Sequence, residues 1–373
     1  MAKQFLCPFC FDSYDINDIQ HYCSEGFRSK PGFREREPIR CKVPDCGCDG
    51  FARQRRCPSC NHYIPNTLIE LPFLPFSIIG DQGSGKTTYI TVMMKELEDA
   101  SSDLNLLLEH LDDDTLRKRE ADQRQLYSYG TLFAPTPAGE NPLPQIWRIS
   151  NPARRFQNEI PSYNFTIYDG AGEDHRSISP ESTTWRYIKH SQAIILLLDP
   201  LRLTNLRSGG AIDAEQASNS HTAADATSVI ENTRNAADIV KRLAQYIRDT
   251  RGIKSGQALD IPVAVVMTKF DLVKNLFPRD ALVMRNDTVF QNGKLNLAEC
   301  QQIDAEIREW LTDARESAFV QAVQVNFSDV CFFGVSNFGS APPNRSNTPT
   351  IMQPCRVLDP ILWLFYKLGF IDG

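Results

Sequence analysis

The sequence has no apolar run long enough to cross a membrane and no excess of positive charge. Its longest apolar stretches, residues 71–80 and 361–371, are far shorter than the roughly 20 residues of a membrane-spanning helix. The N-terminus lacks the apolar region of a signal peptide. The formal net charge of −6 argues against coating of nucleic acid or an anionic membrane through bulk charge. We therefore expect a cytoplasmic protein with no transmembrane segment.

Cysteine is scarce after residue 60, where only Cys300, Cys331 and Cys355 occur, because eight of the eleven cysteines precede that point. Thiols stay reduced in the cytoplasm, so a dense cluster with two Cys-Pro-x-Cys pairs indicates metal ligation rather than disulfides. The same segment has few aliphatic side chains and needs a metal to hold it together. Residues 1–70 are therefore predicted to form a small zinc-ribbon domain.

Eight thiolates fit two tetrahedral zinc ions with four sulfurs each. Each Cys-Pro-x-Cys pair places two sulfurs on one tight turn, and a ribbon joins two such turns around one ion. We assign the first ion to Cys7, Cys10, Cys57 and Cys60 and the second to Cys23, Cys41, Cys46 and Cys48. His21 is an alternative ligand for the second ion.

Beyond residue 70, short apolar runs alternate with amphipathic or polar stretches, a pattern typical of a mostly parallel sheet with helices on both faces. The predicted strands are 76–79, 146–149, 165–168, 193–198, 263–267 and 330–335. The predicted helices are 86–99, 103–125, 182–190, 224–250, 297–324 and 359–368. Residues 71–373 are thus predicted to be one α/β domain, with insertions near 201–223 and 274–296.

A phosphate-binding loop follows the first predicted strand of that domain. Its sequence, GDQGSGKTT, fits the pattern G-x-x-x-x-G-K-[ST]. Glycines let successive N–H groups point at phosphates, the lysine reaches the β and γ phosphates, and the threonine hydroxyl ligates Mg²⁺. The predicted nucleotide-binding residues of this loop are Gly80, Asp81, Gln82, Gly83, Ser84, Gly85, Lys86, Thr87 and Thr88.

A second motif, DGAG, follows the predicted strand 165–168. Its first residue, Asp169, lies where a carboxylate can hold Mg²⁺, and Gly172 can offer its N–H to the γ-phosphate. This spacing makes Asp169 the candidate magnesium ligand that complements Thr87.

A third motif, TKFD, contains Thr268, Lys269 and Asp271 and follows the predicted strand 263–267. The Asp271 carboxylate can accept hydrogen bonds from both guanine N1–H and the exocyclic amine, a pair that adenine does not offer. A serine loop after the last predicted strand adds Ser336 and Asn337, whose backbone N–H groups we expect near the guanine oxygen.

In this order, the four motifs resemble those of the translation-factor-type (TRAFAC) P-loop GTPases over roughly residues 71–373. A narrower resemblance is to the double-GTPase family of bacterial conflict and signalling loci, in which a zinc ribbon precedes the G domain. The segments that carry it are the Cys-Pro-x-Cys pairs, DGAGED, LLLDP, PVAVVMTKFDLV, FFGVS and RVLDPILWLF. The resemblance implies a three-layer P-loop NTPase fold and a GTP-dependent switch encoded beside a companion GTPase or an effector.

The group that orients the hydrolytic water departs from the Ras-like pattern, which places glutamine directly after DxxG. Here Glu173 stands at that point, and a carboxylate beside the γ-phosphate is a poor replacement. We therefore expect slow intrinsic hydrolysis. Gln82 occupies the place where dynamin-like GTPases carry a glutamine that acts when two G domains meet; the alternative is an exposed polar loop residue. Thr136 is the preferred switch threonine for Mg²⁺, with Thr131 as the alternative.

The sequence thus predicts a GTP-binding and GTP-hydrolysing switch with GTP or GDP, Mg²⁺ and two Zn²⁺ ions as cofactors. Its partner would be a companion GTPase or an effector in a bacterial conflict or signalling system, and a dimer of G domains is a further option. The alternative is a nucleic-acid- or ribosome-associated GTPase, because nine basic residues against four acidic ones lie between residues 28 and 56. Nucleic acid is the less favoured partner. The predicted catalytic residues are Lys86, Gln82, Glu173 and Thr136.

Overall fold

A computed structural model describes part of the chain. The described residues are 4–26, 28–29, 39–81, 83–134, 143–154, 160–169, 183–203, 236–286, 288–291, 293–339 and 352–373. Four predicted site residues lie outside these ranges: Gln82, Thr136, Gly172 and Glu173. Among the described residues, no helix is long and apolar enough to span a bilayer.

The strands and helices of the described residues are as follows. The strands are β1 (Gln4–Leu6), β2 (Ser13–Asp15), β3 (Gln20–Tyr22), β4 (Arg28–Ser29), β5 (Gln54–Arg56), β6 (Tyr63–Ile64), β7 (Phe73–Gly80), β8 (Leu107–His110), β9 (Gln145–Ser150), β10 (Ser162–Tyr168), β11 (Ala193–Leu198), β12 (Val263–Met267), β13 (Phe290–Gln291), β14 (Lys294–Leu295) and β15 (Val330–Gly334). The helices are α1 (Asn66–Glu70), α2 (Lys86–Asp99), α3 (Asp113–Gln123), α4 (Thr183–His190), α5 (Ala236–Arg251), α6 (Leu297–Asp313), α7 (Ser317–Asn326) and α8 (Asp359–Lys367).

The central sheet has seven strands in the order β15-β12-β11-β7-β10-β9-β8. The first five of these run parallel, whereas β9 and β8 are each antiparallel to their neighbour. The central parallel strands are buried apolar runs such as AIILLL and VAVVM, as expected for strands that are covered on both sides. The prediction of a mostly parallel α/β sheet is confirmed.

Helices cover both faces of this sheet. The Phe76 ring on β7 packs against Phe365 of α8, with ring centroids 6.1 Å apart. The next residue, Ser77, is hydrogen-bonded to Ser191, directly after α4. Because successive side chains of a strand point to opposite faces, α8 and α4 lie on opposite sides of the sheet. The domain therefore has the three layers expected of a P-loop NTPase.

The N-terminal ribbon packs against the sheet through one apolar cluster. Ile146 of β9 is fully buried together with Phe5, Ile19 and Leu68 of the ribbon. The Asn164 side-chain amide on β10 also donates a hydrogen bond of 2.8 Å to the Thr67 carbonyl. The ribbon is thus joined to the α/β domain by packing and not only by the chain.

Two predicted helices are wrong in part. In the predicted helix 103–125, residues 107–110 form strand β8, paired with β9, and α3 begins only after Asp112, whose side chain accepts a hydrogen bond from the Thr115 N–H. The predicted helix 297–324 is two helices, because Arg315 adopts the left-handed conformation with φ of 62°. Pairing with β9 selects the extended form of residues 107–110, and the left-handed Arg315 separates the two later helices.

The predicted insertion near 274–296 is a packed segment of short helical turns that ends in the hairpin β13–β14. Val283 and Val289 are fully buried within it. The Glu306 carboxylate of α6 accepts hydrogen bonds from the N–H groups of Leu282 and Val283. The other predicted insertion, near 201–223, lies largely outside the described residues.

Candidate nucleotide and zinc sites

The predicted nucleotide residues lie at one edge of the sheet. Leu197 pairs with Gly80, Leu198 with Met267, and Met267 with Gly334. These parallel strands therefore end together, and the loops that follow them meet at the same edge. Ligands of open α/β sheets bind outside the carboxyl ends of the strands.

The P-loop needs glycine at three positions. Gly83 and Gly85 have φ of 75° and 85°, a conformation that side chains with a Cβ atom rarely adopt. A Cβ atom on Gly80 would lie 2.7 Å from the Ser84 hydroxyl and 2.9 Å from the Leu197 Cβ atom. The Lys86 amine then donates to the carbonyl oxygens of Gly80 and Asp81, at 2.9 and 3.3 Å.

The Thr87 hydroxyl and the Asp169 carboxylate form the candidate magnesium site. The hydroxyl donates a hydrogen bond of 2.7 Å to one carboxylate oxygen, Oδ2. The other oxygen, Oδ1, is buried without a hydrogen-bond partner among the described residues. Burial raises the pKa of Asp169, while the Thr87 hydrogen bond and the Lys86 charge lower it. A buried carboxylate oxygen without a donor beside a threonine hydroxyl fits Mg²⁺ ligation.

The residues predicted to read the base lie next to the P-loop. The Ser336 hydroxyl donates a hydrogen bond of 2.6 Å to the Asp271 carboxylate and accepts one of 2.9 Å from the Gly339 N–H. Burial raises the pKa of Asp271, and the Ser336 hydrogen bond lowers it. The Thr268 hydroxyl donates to the Ser84 carbonyl at 3.0 Å. Among the described residues, the structure thus brings the predicted phosphate and base residues to one edge of the sheet.

Asp199 is a site residue that sequence reasoning did not assign. It follows β11, is 3% exposed, and its carboxylate lies 2.7 Å from the Lys269 amine. That amine also donates to the Gly83 carbonyl at 3.1 Å. Lys269 also has φ of 53°, a left-handed conformation that residues with a Cβ atom adopt uncommonly. The signal was the position of Asp199 at the end of a buried strand, within the segment LLLDP.

Of the two candidate switch threonines, Thr131 alone is among the described residues. Thr136, the preferred switch threonine, lies outside the described residues. The alternative, Thr131, is exposed, and its hydroxyl donates only to the nearby Tyr129 carbonyl at 3.4 Å.

The eight N-terminal cysteines form two groups, each with its sulfurs within 4.8 Å of one another. They are Cys7, Cys10, Cys57 and Cys60, and Cys23, Cys41, Cys46 and Cys48. His21, the alternative ligand, belongs to neither group among the described residues.

The sulfur separations fit zinc. They are 3.7 Å for Cys7 and Cys60 and 3.6 Å for Cys10 and Cys57. Four sulfurs about 2.3 Å from a tetrahedral Zn²⁺ ion would lie about 3.8 Å from each other. Hydrogen bonds from Cys10 and Cys7 lower the pKa of Cys60 to about 4, so one thiolate is already favoured there. Each group can hold one zinc ion.

The fold and its phosphate loop define a P-loop NTPase, and comparison with known proteins identifies its family. Residues 75–343 match the model of the Double-GTPase 2 family. The chain therefore belongs to this family of GTPases.

Two known proteins are similar to this chain. The putative ESX-1 scaffolding and assembly protein SaeC of Mycolicibacterium smegmatis is 24% identical over 341 residues, which cover 84% of this chain and 80% of SaeC. The Arl6 BBS3 small GTPase of Trypanosoma brucei, solved with the nucleotide analogue GppNp, is 12% identical with a TM-score of 0.28. That match covers 71% of this chain and 87% of the trypanosome chain.

Thr87→Ala should weaken Mg²⁺-dependent nucleotide binding by about 10- to 100-fold, because it removes a polar group that contacts a charge. Titration of Mg²⁺ against binding of a fluorescent GDP analogue measures the effect. Thr91→Ala is the matched control, since its hydroxyl, one turn further along α2, donates only to the Thr87 carbonyl. Equal Mg²⁺ requirements in both variants would contradict the assignment.

Elemental analysis of protein purified under reducing conditions should give about two zinc ions per chain. Cys57→Ser should remove about one of them, whereas Cys355→Ser, outside both groups, should leave the content unchanged. Disulfides in place of zinc would refute the ligand assignment.

Proposed function

We propose that this protein is a molecular switch that binds GTP through the site above and hydrolyses it slowly when alone. One observation carries the proposal. The TKFD motif, which would read the base, is hydrogen-bonded to the loop that would hold the phosphates. Thr268 donates to the Ser84 carbonyl and Lys269 to the Gly83 carbonyl. A site built in this way positions base and phosphates of one nucleotide together.

Guanine specificity rests on Asp271. Its carboxylate is oriented by Ser336, which leaves it able to accept hydrogen bonds from guanine N1–H and the exocyclic amine. The Ser336 N–H itself donates to the Cys355 carbonyl at 3.1 Å, so Ser336 acts on the base through its hydroxyl and Asp271. The buried Asn337 side chain lies on the same loop and offers an amide that can donate and accept hydrogen bonds.

Hydrolysis rests on the phosphate side of the site. Lys86 would exchange its two carbonyl partners for phosphate oxygens, and Thr87 and Asp169 would hold Mg²⁺, which neutralises charge on the β and γ phosphates. We further propose that Thr136 closes on the same ion, that Gly172 contacts the γ-phosphate, and that Glu173 is a poor orienter of water. Gln82 then supplies the missing function when a second G domain is present.

We favour a protein over nucleic acid as the partner of this chain. SaeC is named as a scaffolding and assembly protein, so we propose that this chain also acts with a protein, a companion GTPase or an effector, inside bacterial cells. Arg53 and Arg56 of the ribbon lie over the rings of Phe51 and Tyr22 at 4.8 and 5.2 Å. These arginines already have partners within the ribbon, which favours a structural role over phosphate binding.

Asp271→Asn should weaken GTP binding on the order of 10²-fold and improve xanthosine triphosphate binding, because an amide can donate to the xanthine carbonyl. Competition of both nucleotides against a fluorescent GDP analogue measures the change. Ser336→Ala, which removes only the orienting hydroxyl, should weaken GTP without changing base preference. A loss of only a few-fold in Asp271→Asn would rule out Asp271 as the guanine reader.

The GTPase rate per chain should rise with protein concentration, or when the companion GTPase encoded beside this chain is added. The reason is that a second G domain would help to position the hydrolytic water, an effect worth about 10³–10⁵ in rate. Gln82→Ala should remove this rise, because it deletes the side-chain amide and keeps the backbone N–H group of the loop. A rate that is independent of concentration and partner, and unchanged by Gln82→Ala, would mean that Gln82 has no catalytic role. A large loss in Glu173→Ala would instead assign catalysis to that carboxylate.

A further inference from the structure

Each Cys-Pro-x-Cys pair with the residue after it forms a turn that we call a knuckle: the first is residues 7–11 and the second is residues 57–61. The two knuckles differ at one strained position. In Cys-Pro-Phe-Cys-Phe and Cys-Pro-Ser-Cys-Asn, the last residue adopts φ of 59° at Phe11 and 60° at Asn61. In both, its N–H donates at 3.0 Å to the carbonyl of the first cysteine. Asn tolerates this left-handed conformation, whereas a bulky side chain is strained in it. Phe11 therefore needs a compensating contact that Asn61 does not.

The compensating contact lies in the α/β domain. The Phe11 side chain is 5% exposed and packs edge-on against Tyr187 of α4, with ring centroids 5.0 Å apart at 72°. Tyr187 in turn packs against Tyr168 of β10, again at 5.0 Å. The three rings form one buried cluster, with Leu6 of the ribbon packed against it.

One ring of this cluster belongs to the residue directly before the candidate magnesium ligand. Tyr168 is the last residue of β10, and the next residue is Asp169. The Tyr187 hydroxyl lies 2.6 Å from the Phe76 carbonyl and 2.5 Å from the Thr166 carbonyl, so it also joins β7, which leads into the P-loop, to β10. A change in the packing of Phe11 therefore acts on the backbone that carries Asp169.

We propose that Phe11 is a positioning residue for Asp169, so that zinc bound at Cys7, Cys10, Cys57 and Cys60 strengthens Mg²⁺-dependent nucleotide binding. Zinc fixes the knuckle, the knuckle holds Phe11 in its left-handed conformation, and the ring holds Tyr187 and Tyr168. The inference rests on the proposed function, because it requires Asp169 to hold Mg²⁺. Coupling of two sites is reciprocal, so nucleotide with Mg²⁺ must also stabilise zinc in this site.

Two variants exchange first-knuckle residues for their second-knuckle counterparts. Phe11→Asn copies Asn61, removes the ring and relieves the backbone strain, while the contacts of Ile146 keep the ribbon packed on the sheet. Phe9→Ser copies Ser59 and is the matched control, since the Phe9 ring stacks on His62 inside the ribbon, with centroids 4.5 Å apart. Both variants should retain their zinc.

The measurement is the release rate of a fluorescent GDP analogue over a range of Mg²⁺ concentrations. Phe11→Asn should raise the Mg²⁺ concentration for half-maximal retention at least about fivefold, the lower end of typical coupling between sites. Without added Mg²⁺, its release rate should match that of the parent, and Phe9→Ser should behave like the parent throughout. Should Phe11→Asn fail to fold, Phe11→Leu, which keeps the burial but loses the ring, should give a smaller shift in the same direction.

The reciprocal experiment needs no change at Phe11. In Cys48→Ser, where the second site is disrupted, saturating GDP with Mg²⁺ should slow the transfer of the remaining zinc to a chelator, and GDP without added Mg²⁺ should not. If nucleotide release from the parent depends on Mg²⁺ and Phe11→Asn shows the same Mg²⁺ dependence as the parent and Phe9→Ser, the coupling alone is overturned. Nucleotide release that ignores Mg²⁺ in the parent would overturn the proposed function together with it.

Discussion

The contact between the Thr87 hydroxyl and the Asp169 carboxylate is the interaction on which the rest of the site depends. It forms because β7 and β10 are adjacent and parallel, so the start of α2 and the end of β10 meet at one edge. A buried carboxylate is unfavourable unless a donor or cation satisfies it. Thr87 and Lys86 supply part of that compensation, and Mg²⁺ would supply the rest. The ribbon packs nearby, because the Phe11 ring contacts Tyr187, whose ring contacts Tyr168 directly before Asp169.

The sequence predicts those features that short segments encode. Buried parallel strands must be apolar throughout, so the predicted strands 193–198 and 263–267 coincide with β11 and β12. A phosphate loop needs its glycines at fixed spacing, which placed the start of α2 at Lys86. The cysteine groups follow the same logic, because two Cys-Pro-x-Cys turns leave few ways to complete a tetrahedron. Spacing alone therefore indicated both the nucleotide loop and the metal sets.

Features that depend on distant contacts were beyond the sequence. Strand β8, with the sequence LLEH, lies in a leucine-rich segment inside the predicted helix 103–125, and only its pairing with β9 selects the extended form. Asp199 became a site residue only when β11 and β12 were found side by side, which brings it to Lys269. Phe11 follows the first Cys-Pro-x-Cys pair, and the sequence pattern assigns it no role. Its left-handed backbone and its packing on Tyr187 arise from tertiary structure, and no local pattern signals them.

Calorimetric titration of the zinc-loaded parent protein with GDP and ADP, with and without Mg²⁺, tests the central claim most directly. The account holds that one site reads guanine through Asp271 and holds phosphate and Mg²⁺ through the P-loop and Asp169. It predicts that GDP binds with Mg²⁺-dependent affinity and that ADP binds on the order of 10²-fold more weakly, because adenine leaves the buried carboxylate unpaired. Equal affinity for ADP, or GDP binding that is indifferent to Mg²⁺, would contradict it.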